Sequence, residues 1–252
     1  MSRTELPHVW MPSPNIEPRK NGVEPCILLL HYTGMRSAEA ALNWLCDPRS
    51  KVSCHYLVDE AGQTIQMVDE NMRAWHAGVA MWKGERDINS RSIGIEIHNV
   101  GDAMGYPDFP PAQMDAVIAL CRDVVARHPI RPECVLAHSD VAPRRKTDPG
   151  EKFDWRRLHA HGIGHWTEPA PIDEGMCLRS GESNSGVSDL QSQLSGYGYG
   201  IDVTGRFDAA TEATVKAFQR HFRQGRVDGI ADASTIETLR LLIAALPLPS
   251  AS

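Results

Sequence analysis

Residues 20–166 alternate short apolar runs with segments of helical periodicity, and this alternation restricts the possible folds more than any other feature of the chain. Short apolar runs bounded by turn-forming residues predict strands, whereas apolar residues spaced three and four apart predict helices. Strands interleaved with helices are typical of α/β proteins, in which helices cover a central sheet. The predicted strands span residues 26–31, 54–58, 64–68, 92–98 and 134–137, and the second and third form a hairpin.

Two helices are predicted beside this sheet. The longer one spans residues 112–127, with apolar residues on one face and Pro111 before its first turn. The shorter one spans residues 37–45 and begins at Ser37, a residue type that caps helices well. We therefore predict the α/β class, with a central mixed β-sheet flanked by helices.

The segment between residues 168 and 186 is rich in proline, glycine, serine and acidic residues, which sustain neither helices nor strands. It predicts a domain boundary. The predicted units are a first domain over residues 1–170, a linker over 171–185 and a second domain over 186–252.

The second domain contains an internal repeat. Residues 205–214 and 229–238 each begin with glycine, continue to an aspartate that can cap a helix, and reach a threonine three positions later. A further helix is marked by Val187, Leu190 and Leu194. The pattern predicts a small domain of three helices around one core.

Composition disfavours two classes of partner. The formal net charge of −6 argues against nucleic acid, which is bound by concentrated basic faces. The most apolar late stretch, residues 236–248, is too short to span a bilayer and is interrupted by proline, so no transmembrane segment is predicted. The sequence makes no prediction of oligomeric state.

The compartment is predicted from the first residues and from the cysteines. The first twenty residues carry acids and prolines where a secretory leader has a basic start and an apolar core. Six cysteines are scattered singly and are predicted to be reduced thiols, with a pair of Cys46 and Cys54 as the alternative. We predict a cytoplasmic protein; a periplasmic one is the alternative if a leader has been removed.

Three residues far apart in the chain could together bind a metal ion. His31 and His138 each follow an apolar run, and Asp148 lies ten positions after His138. Two imidazoles and a carboxylate can bind zinc and leave its fourth position to water, as in catalytic sites. Taken singly, each histidine also fits a hydrogen-bonded structural residue, and the aspartate fits a turn. Together the three residues predict a catalytic Zn²⁺ site.

Glu96 and Lys146 are the predicted catalytic side chains. Strand alternation places Glu96 on one face of residues 92–98, where burying a carboxylate costs free energy unless it is paired or used. If that face lines the pocket, Glu96 can take a proton from zinc-bound water and pass it to a leaving amine. Lys146 would lie near the metal and could stabilise negative charge. The alternatives are a solvent-facing Glu96 and a solvated loop lysine.

Further pocket residues are predicted from the stretch around His76. His76, Asn99 and Trp75 are candidates for substrate binding, whereas His55 is predicted to be structural. Trp75 and Trp82 could pack against sugar or peptide, or belong to the core. The chain has no glycine-rich phosphate loop after a strand and no Gly-x-Ser-x-Gly motif, which disfavours phosphoryl transfer and serine hydrolysis.

Taken in order, several of these motifs resemble the zinc N-acetylmuramoyl-L-alanine amidases of the AmpD and AmiD kind. The resemblance implies that His31, His138 and Asp148 bind zinc, that Glu96 is the general base and acid, and that Lys146 stabilises the oxyanion. The implied reaction is hydrolysis of the amide between the lactyl group of muramic acid and L-alanine, with peptidoglycan or muropeptide as substrate. The motifs are Leu30-His-Tyr-Thr33, Ser53-Cys-His-Tyr-Leu-Val58, Trp75-His-Ala-Gly78, Ser92-Ile-Gly-Ile-Glu96 and the segment 137–150.

The second domain resembles the three-helix peptidoglycan-binding module. Its matching residues, including Gly205, Asp208 and Phe218, are mostly turn and core residues, which specify the fold more than the ligand. The alternative is a packing partner that binds no glycan.

The resemblance leaves several functions open. We predict cytoplasmic recycling of muropeptides in the 1,6-anhydro form. The alternatives are a periplasmic amidase that cleaves intact sacculi, a recognition protein that binds without cutting, and a zinc peptidase that acts on free peptides.

Overall fold

The computed structural model describes residues 4–172 and 175–246. Within them the strands are β1 (Val9–Trp10), β2 (Ile16–Pro18), β3 (Ile27–Tyr32), β4 (Tyr56–Val58), β5 (Thr64–Gln66), β6 (Met72–Ala74), β7 (Ser92–Ile97), β8 (Val135–Ala137), β9 (Cys177–Leu178) and β10 (Ala231–Asp232). The helices are α1 (Ala38–Leu45), α2 (Ile88–Arg91), α3 (Pro111–Arg127), α4 (His138–Val141), α5 (Trp155–Ala160), α6 (Ser185–Tyr197), α7 (Ala209–Phe222) and α8 (Ala233–Ala244).

A six-stranded mixed sheet forms the centre of the first domain, in the order β1-β5-β4-β7-β3-β8. The β4–β5 pair is antiparallel, as the hairpin prediction required, and the other neighbours run parallel. β3 is buried along nearly its whole length, because neighbouring strands flank both its edges and helices cover both faces of the sheet. This burial explains its unbroken apolar sequence. The predicted fold class is confirmed.

The two predicted helices cover opposite faces of this sheet. α3 begins at Pro111 and buries Met114, Val117 and Cys121 in the larger apolar core. α1 begins after Ser37, whose hydroxyl accepts a hydrogen bond from the Ala40 amide at 3.1 Å. α1 buries its apolar side in a second cluster that includes Leu57 of β4.

The sequence analysis did not predict several short elements, because a segment of two to six residues shows no clear periodicity. These elements are β1, β2, β6, α2, α4 and α5.

The second domain contains the three predicted helices α6, α7 and α8, and the internal repeat is visible in its hydrogen bonds. Asp208 and Asp232 each accept from the amide three residues later, at 2.9 and 2.8 Å. The Gln191 side chain accepts from the amide of Gly205, and Gln219 accepts from Gly229 in the same way, both at 2.9 Å. Each copy therefore fixes its glycine turn through a glutamine on the preceding helix.

Part of the predicted linker is regular structure. Cys177 and Leu178 form β9, which pairs with β10 of the second domain, and α6 begins at Ser185. Residues 173–174 of the predicted linker, and residues 1–3 and 247–252 at the ends of the chain, lie outside the described residues. The division at residues 171–185 stays a prediction.

The two domains share a buried interface. Trp82 of the first domain is almost fully buried and contacts Tyr197 and Tyr199 edge-to-face, with ring centroids 6.0 and 5.0 Å apart. Gly198 lies between these tyrosines, and a Cβ atom there would approach the Trp82 ring to 2.6 Å. A larger residue at position 198 would therefore separate the domains.

Two expectations from composition can be compared with the structure. All six cysteines are unpaired, and Cys54, Cys121 and Cys134 are buried. Across residues 4–172 and 175–246, no helix combines the length and the apolar character required to cross a bilayer.

Candidate metal-dependent active site

The sheet places His31 and Glu96 side by side. They are register partners on the adjacent parallel strands β3 and β7, so their side chains leave the same face of the sheet. Leu57 on β4 is the next register partner of Glu96, and it belongs to the cluster beneath α1. The face that carries both polar residues is therefore the α1 side of the sheet.

His138 and Asp148 complete a compact group with His31. The neighbouring strand β8 ends at Ala137, so His138 is the first residue of α4 beside the end of β3. The Nδ1 atoms of the two histidines are 2.9 Å apart, and each lies 3.1 or 3.0 Å from Oδ2 of Asp148. The three atoms form a nearly equilateral triangle at the bottom of a cavity. These are the three residues that the sequence predicted as metal ligands.

Hydrogen bonds on the far side of each imidazole indicate which nitrogen carries the proton. Nε2 of His138 lies 3.0 Å from the carbonyl oxygen of Ala77, which can only accept, so this nitrogen is the donor. Nε2 of His31 lies 3.0 Å from Nδ1 of His76 and is the matching donor if His76 accepts. Both Nδ1 atoms are then unprotonated and direct their lone pairs at the same point as Asp148. A donor set of this kind suits a divalent metal ion.

The dimensions support the same conclusion. Ligand atoms at about 2.0–2.1 Å from a tetrahedral zinc ion are about 3.3 Å apart, close to the separations of the three atoms. A second group of possible ligands, His31, Cys54 and His76, also lies within 4.8 Å, but its two histidines already share the hydrogen bond described above.

His76 connects His31 to the backbone behind it. Nε2 of His76 lies 3.2 Å from Oγ of Ser92, and this hydroxyl donates to the carbonyl of Ile88 at 2.7 Å. The chain of bonds is possible because position 94 is glycine: a Cβ atom there would lie 2.7 Å from the His76 ring. His76 thus lines the cavity, as predicted for a substrate-binding residue, but its ring also holds His31.

Burial changes the ionisation of two groups in the cavity. Burial lowers the pKa of His31 to about 4, with the neighbouring His138 acting in the same direction, so this imidazole is neutral at pH 7. Burial also raises the pKa of Glu96 well above its usual value, and the charge of Asp148 adds to the effect while Lys146 opposes it. The Oε2 atom of Glu96 is buried and has no hydrogen-bond partner among the described residues. A half-buried carboxyl group with an unpartnered oxygen is suited to exchange a proton with a bound ligand.

The cavity above these residues has a volume of about 400 Å³ and two chemically different ends. Beside α1 the wall is largely apolar and includes Met35, Trp44, Leu45 and Val52. At the other end it is formed by the loop that precedes Asp148, with Arg145, Lys146 and Thr147. The triangle of His31, His138 and Asp148 and the Glu96 carboxyl group lie in the same cavity.

The other predicted site residues divide into those that line the cavity and those that do not. Lys146 and Trp75 line it. Asn99 does not: its buried side chain donates to the carbonyl of Pro107 at 2.9 Å and accepts from Gly101 at 2.9 Å. The structure therefore corrects the pocket prediction for Asn99, whose amide is occupied in holding a loop. His55 is buried and bonded to backbone groups, and Trp82 belongs to the domain interface.

Two of the cavity residues that the sequence analysis did not predict are Trp44 and Arg145. Trp44 lies on α1 with 49% of its surface exposed, and its indole forms part of the apolar wall. The available signal was its position outside the buried face of the helix, which contains Ala41 and Leu45. The second is Arg145, whose guanidinium donates to the carbonyls of Ala77 and Val79 at 2.7 and 2.9 Å. A tertiary contact of this kind leaves no signal in sequence spacing.

Comparison with known proteins gives two family matches. Residues 21–151 match the N-acetylmuramoyl-L-alanine amidase family, and residues 183–239 match a peptidoglycan binding domain. The N-acetylmuramoyl-L-alanine amidase AmiD of Escherichia coli is 37% identical over 223 residues, which cover 83% of this chain and 79% of that protein. The 1,6-anhydro-N-acetylmuramyl-L-alanine amidase AmpD of Enterobacter cloacae is 34% identical over 60% of this chain and 87% of its own length.

A solved structure extends the similarity to both domains. The E. coli AmiD, in complex with anhydro-N-acetylmuramic acid-L-Ala-D-gamma-Glu-L-Lys, matches with a TM-score of 0.73 and 35% sequence identity. The match covers 89% of this chain and 91% of that one, so it includes the second domain.

Proposed function

The chain belongs to the N-acetylmuramoyl-L-alanine amidase family, and from this premise we propose that it cleaves soluble muropeptides with a zinc ion held by His31, His138 and Asp148. The reaction is hydrolysis of the amide between the lactyl group of N-acetylmuramic acid and L-alanine. The observation that carries the zinc proposal is the convergence of two Nδ1 atoms and one carboxylate oxygen within 3.1 Å of one another.

Zinc bound at these three residues would polarise the scissile carbonyl and lower the pKa of water from about 16 to about 7. The remaining chemistry belongs to the side chains around it. Glu96 accepts a proton from the attacking water and delivers it to the nitrogen of the leaving L-alanine, because its carboxyl group lies beside His31 and has no competing partner among the described residues. The lysine ammonium of Lys146 stabilises the negative charge that develops on the carbonyl oxygen.

The apolar end of the cavity is proposed to bind the sugar. Trp44 presents an exposed indole there, and aromatic faces pack against the apolar faces of sugar rings. Trp75 lines the same cavity, and its indole N–H has no hydrogen-bond partner in the described part of the chain.

The decisive experiment compares Glu96→Gln with Glu39→Gln, a substitution at an exposed position on α1. Glu96→Gln should lower kcat by about 10²–10⁴-fold, because the general base and acid is lost. It should leave one zinc ion bound per chain, and Glu39→Gln should change neither quantity. A Glu96→Gln protein with normal turnover, or a wild-type protein that binds no zinc, would refute the proposal.

The proposed substrate is the soluble 1,6-anhydro muropeptide, supported by the similarity to AmpD and by the ligand of the AmiD complex. The peptidoglycan-binding match at residues 183–239 favours intact sacculi as the second candidate. Turnover of anhydro-muropeptide should exceed turnover of purified sacculi at equal muramyl amide concentration. Faster turnover of sacculi would identify intact sacculi as the substrate. Binding without any cleavage would indicate a recognition protein.

The cytoplasm is the proposed compartment. Six unpaired cysteines are compatible with a reducing environment. Fractionation of cells should place amidase activity with cytosolic markers; release by osmotic shock would assign the enzyme to the periplasm.

A further inference from the structure

A second cavity of about 210 Å³ lies between the two domains. One wall is the loop around Pro143 and Thr147 in the first domain. The other wall is a single stripe of α7, since its residues are spaced three or four apart along the helix. The stripe consists of Ala209, Glu212, Ala213, Lys216 and Arg220.

This groove adjoins the active-site cavity at Thr147. Thr147 lines both cavities, and it lies between Lys146 and Asp148 in the chain. Its hydroxyl group is 3.2 Å from the hydroxyl of Tyr32, which also lines the active site. Thr147 therefore marks the boundary between the active site and the groove.

The stripe on α7 is not needed for the core of the second domain. Val215, Phe218 and Phe222 provide the buried face of the helix, and Lys216 and Arg220 lie outside it. Lys216 pairs with Glu212 at 2.6 Å, whereas the nearest carboxylate oxygen to Arg220 is that of Glu151 at 3.8 Å. An ion pair at this longer distance is easily replaced by another carboxylate.

Positive charge continues from the active site into the groove. Arg145 and Lys146 form the polar end of the first cavity, and Lys216 and Arg220 follow in the second. Arg145 donates to backbone carbonyls, which do not neutralise its charge. The groove lining itself contains two cations, Lys216 and Arg220, and one acidic residue, Glu212.

The two halves of a muropeptide differ in charge in a way that fits this gradient. The sugar half is neutral once its lactyl carboxyl group is in the amide. In the peptide half, a γ-linked glutamate keeps a free α-carboxylate, and the last residue adds another. The sugar therefore suits the aromatic end beside Trp44, and the peptide suits the cationic end.

We infer that the groove between α7 and the 143–147 loop is a subsite for the acidic stem peptide, so that the second domain contributes directly to substrate recognition. The inference rests on the proposed function, because it takes the muropeptide as substrate. Lys216 and Arg220 bind peptide carboxylates and lower the KM of substrates that extend beyond L-alanine.

The test uses the full-length zinc-loaded enzyme and two synthetic substrates. One is anhydro-N-acetylmuramyl-L-Ala-D-γ-Glu-L-Lys, and the other is the same molecule with both carboxyl groups amidated. The variant is the double substitution Lys216→Gln and Arg220→Gln. The matched control is Arg179→Gln with Arg240→Gln, which removes two exposed cations of the same domain that pair with local acids outside the groove.

The groove variant should raise KM for the acidic tripeptide about 3- to 10-fold, leave kcat unchanged, and alter KM for the amidated tripeptide less than about 2-fold. The control variant should leave all values unchanged. Ala213→Glu adds a negative charge to the same stripe and should also raise KM for the acidic substrate alone.

Equal effects of the groove variant on both substrates, or no effect on either, would overturn the inference. Failure of the proposed function has a different signature, because the wild-type enzyme would then cleave neither tripeptide.

Discussion

At the scale of single residues, the hydrogen bonds behind the ligands define the site as much as the ligands do. His138 is fixed by the Ala77 carbonyl and His31 by the ring of His76. Such outer contacts select the tautomer that leaves Nδ1 free and hold the ring in the binding orientation. The same histidines without these partners would present either nitrogen.

His76→Ala should therefore weaken zinc binding about 10- to 100-fold, because Nε2 of His31 loses its partner. Competition with a chromophoric chelator measures the affinity, and circular dichroism checks the fold. His161→Ala, at an exposed histidine, serves as the control. An unchanged zinc affinity in His76→Ala would show that His76 does not support the metal site. Substrate binding would then be its one remaining proposed role.

Glu70 shows how a buried charge contributes to stability. Its side chain is fully buried and accepts hydrogen bonds from Arg127, His128 and Tyr56. Burial alone would raise the pKa of Glu70, but these three donors outweigh burial and hold the pKa well below its usual value. A depressed pKa stabilises the fold above the pKa of the unfolded glutamate, about 4.3, and the stabilisation is lost as the pH falls toward the folded-state value.

Glu70→Gln should lower the free energy of unfolding at pH 7 by about 3 kcal/mol, because Arg127 loses its buried partner. The difference from the wild-type protein should shrink as the pH falls below about 4.3, because Glu70 of the unfolded chain takes up its proton before the folded carboxylate does. Urea unfolding at each pH measures both quantities. A difference independent of pH would show that the packing of Glu70 matters and its charge does not.

At the scale of elements, the four-residue helix α4 is shared by the two domains. It begins with His138 and also contains Asp140, which is fully buried. Asp140 accepts from the hydroxyl of Tyr199 at 2.8 Å and from Nδ1 of His221 at 2.7 Å, both in the second domain. A helix of one turn has little stability of its own, so contacts from outside must hold it. The second domain thus supports the segment that carries a proposed zinc ligand.

Tyr199→Phe should destabilise the protein by about 1–2 kcal/mol and lower its zinc affinity several-fold, because α4 loses one of the two hydrogen bonds that Asp140 accepts from the second domain. Tyr197→Phe is the matched control. It removes a hydrogen bond to His165 in the same interface but does not touch α4. Equal zinc affinities in the two variants would show that the hydrogen bond between Tyr199 and Asp140 does not influence the metal site.

At the scale of the whole molecule, we expect the buried interface to make the two domains unfold as one cooperative unit. The ring of His221 stacks on Trp155 at 3.7 Å, and Trp82 packs against Tyr197 and Tyr199. Apolar contacts of this kind couple the stability of one domain to that of the other.

Phe218→Ala, in the core of the second domain, tests this coupling. It should cost about 3–5 kcal/mol through loss of buried surface and the cavity left behind. All six tryptophans lie in residues 10–166, and Trp82 and Trp155 contact the second domain, so their fluorescence reports the first domain and the interface. The fluorescence transition in urea should shift together with the circular dichroism transition. A fluorescence transition that stays at the wild-type urea concentration would show independent domains.

The sequence by itself determined the fold class, the three-helix second domain and the identity of the strongest candidate site residues. It could do so because burial periodicity is local: the run before His31 and the alternation around Glu96 are visible along the chain. The helix caps Ser37, Asp208 and Asp232 are local signals in the same sense.

Only the tertiary structure decided the contacts between distant segments. The register that sets His31 beside Glu96, the bond that makes His76 a support of His31, and the interface that buries Asp140 all join residues far apart in sequence. Asn99 was predicted to line the cavity, but its side-chain amide is hydrogen-bonded to Gly101 and Pro107 in its own loop. The sequence pattern did not reveal these partners. Spacing along the chain specifies which side chains lie on the same face of a helix or strand. Packing between elements specifies which groups those side chains contact.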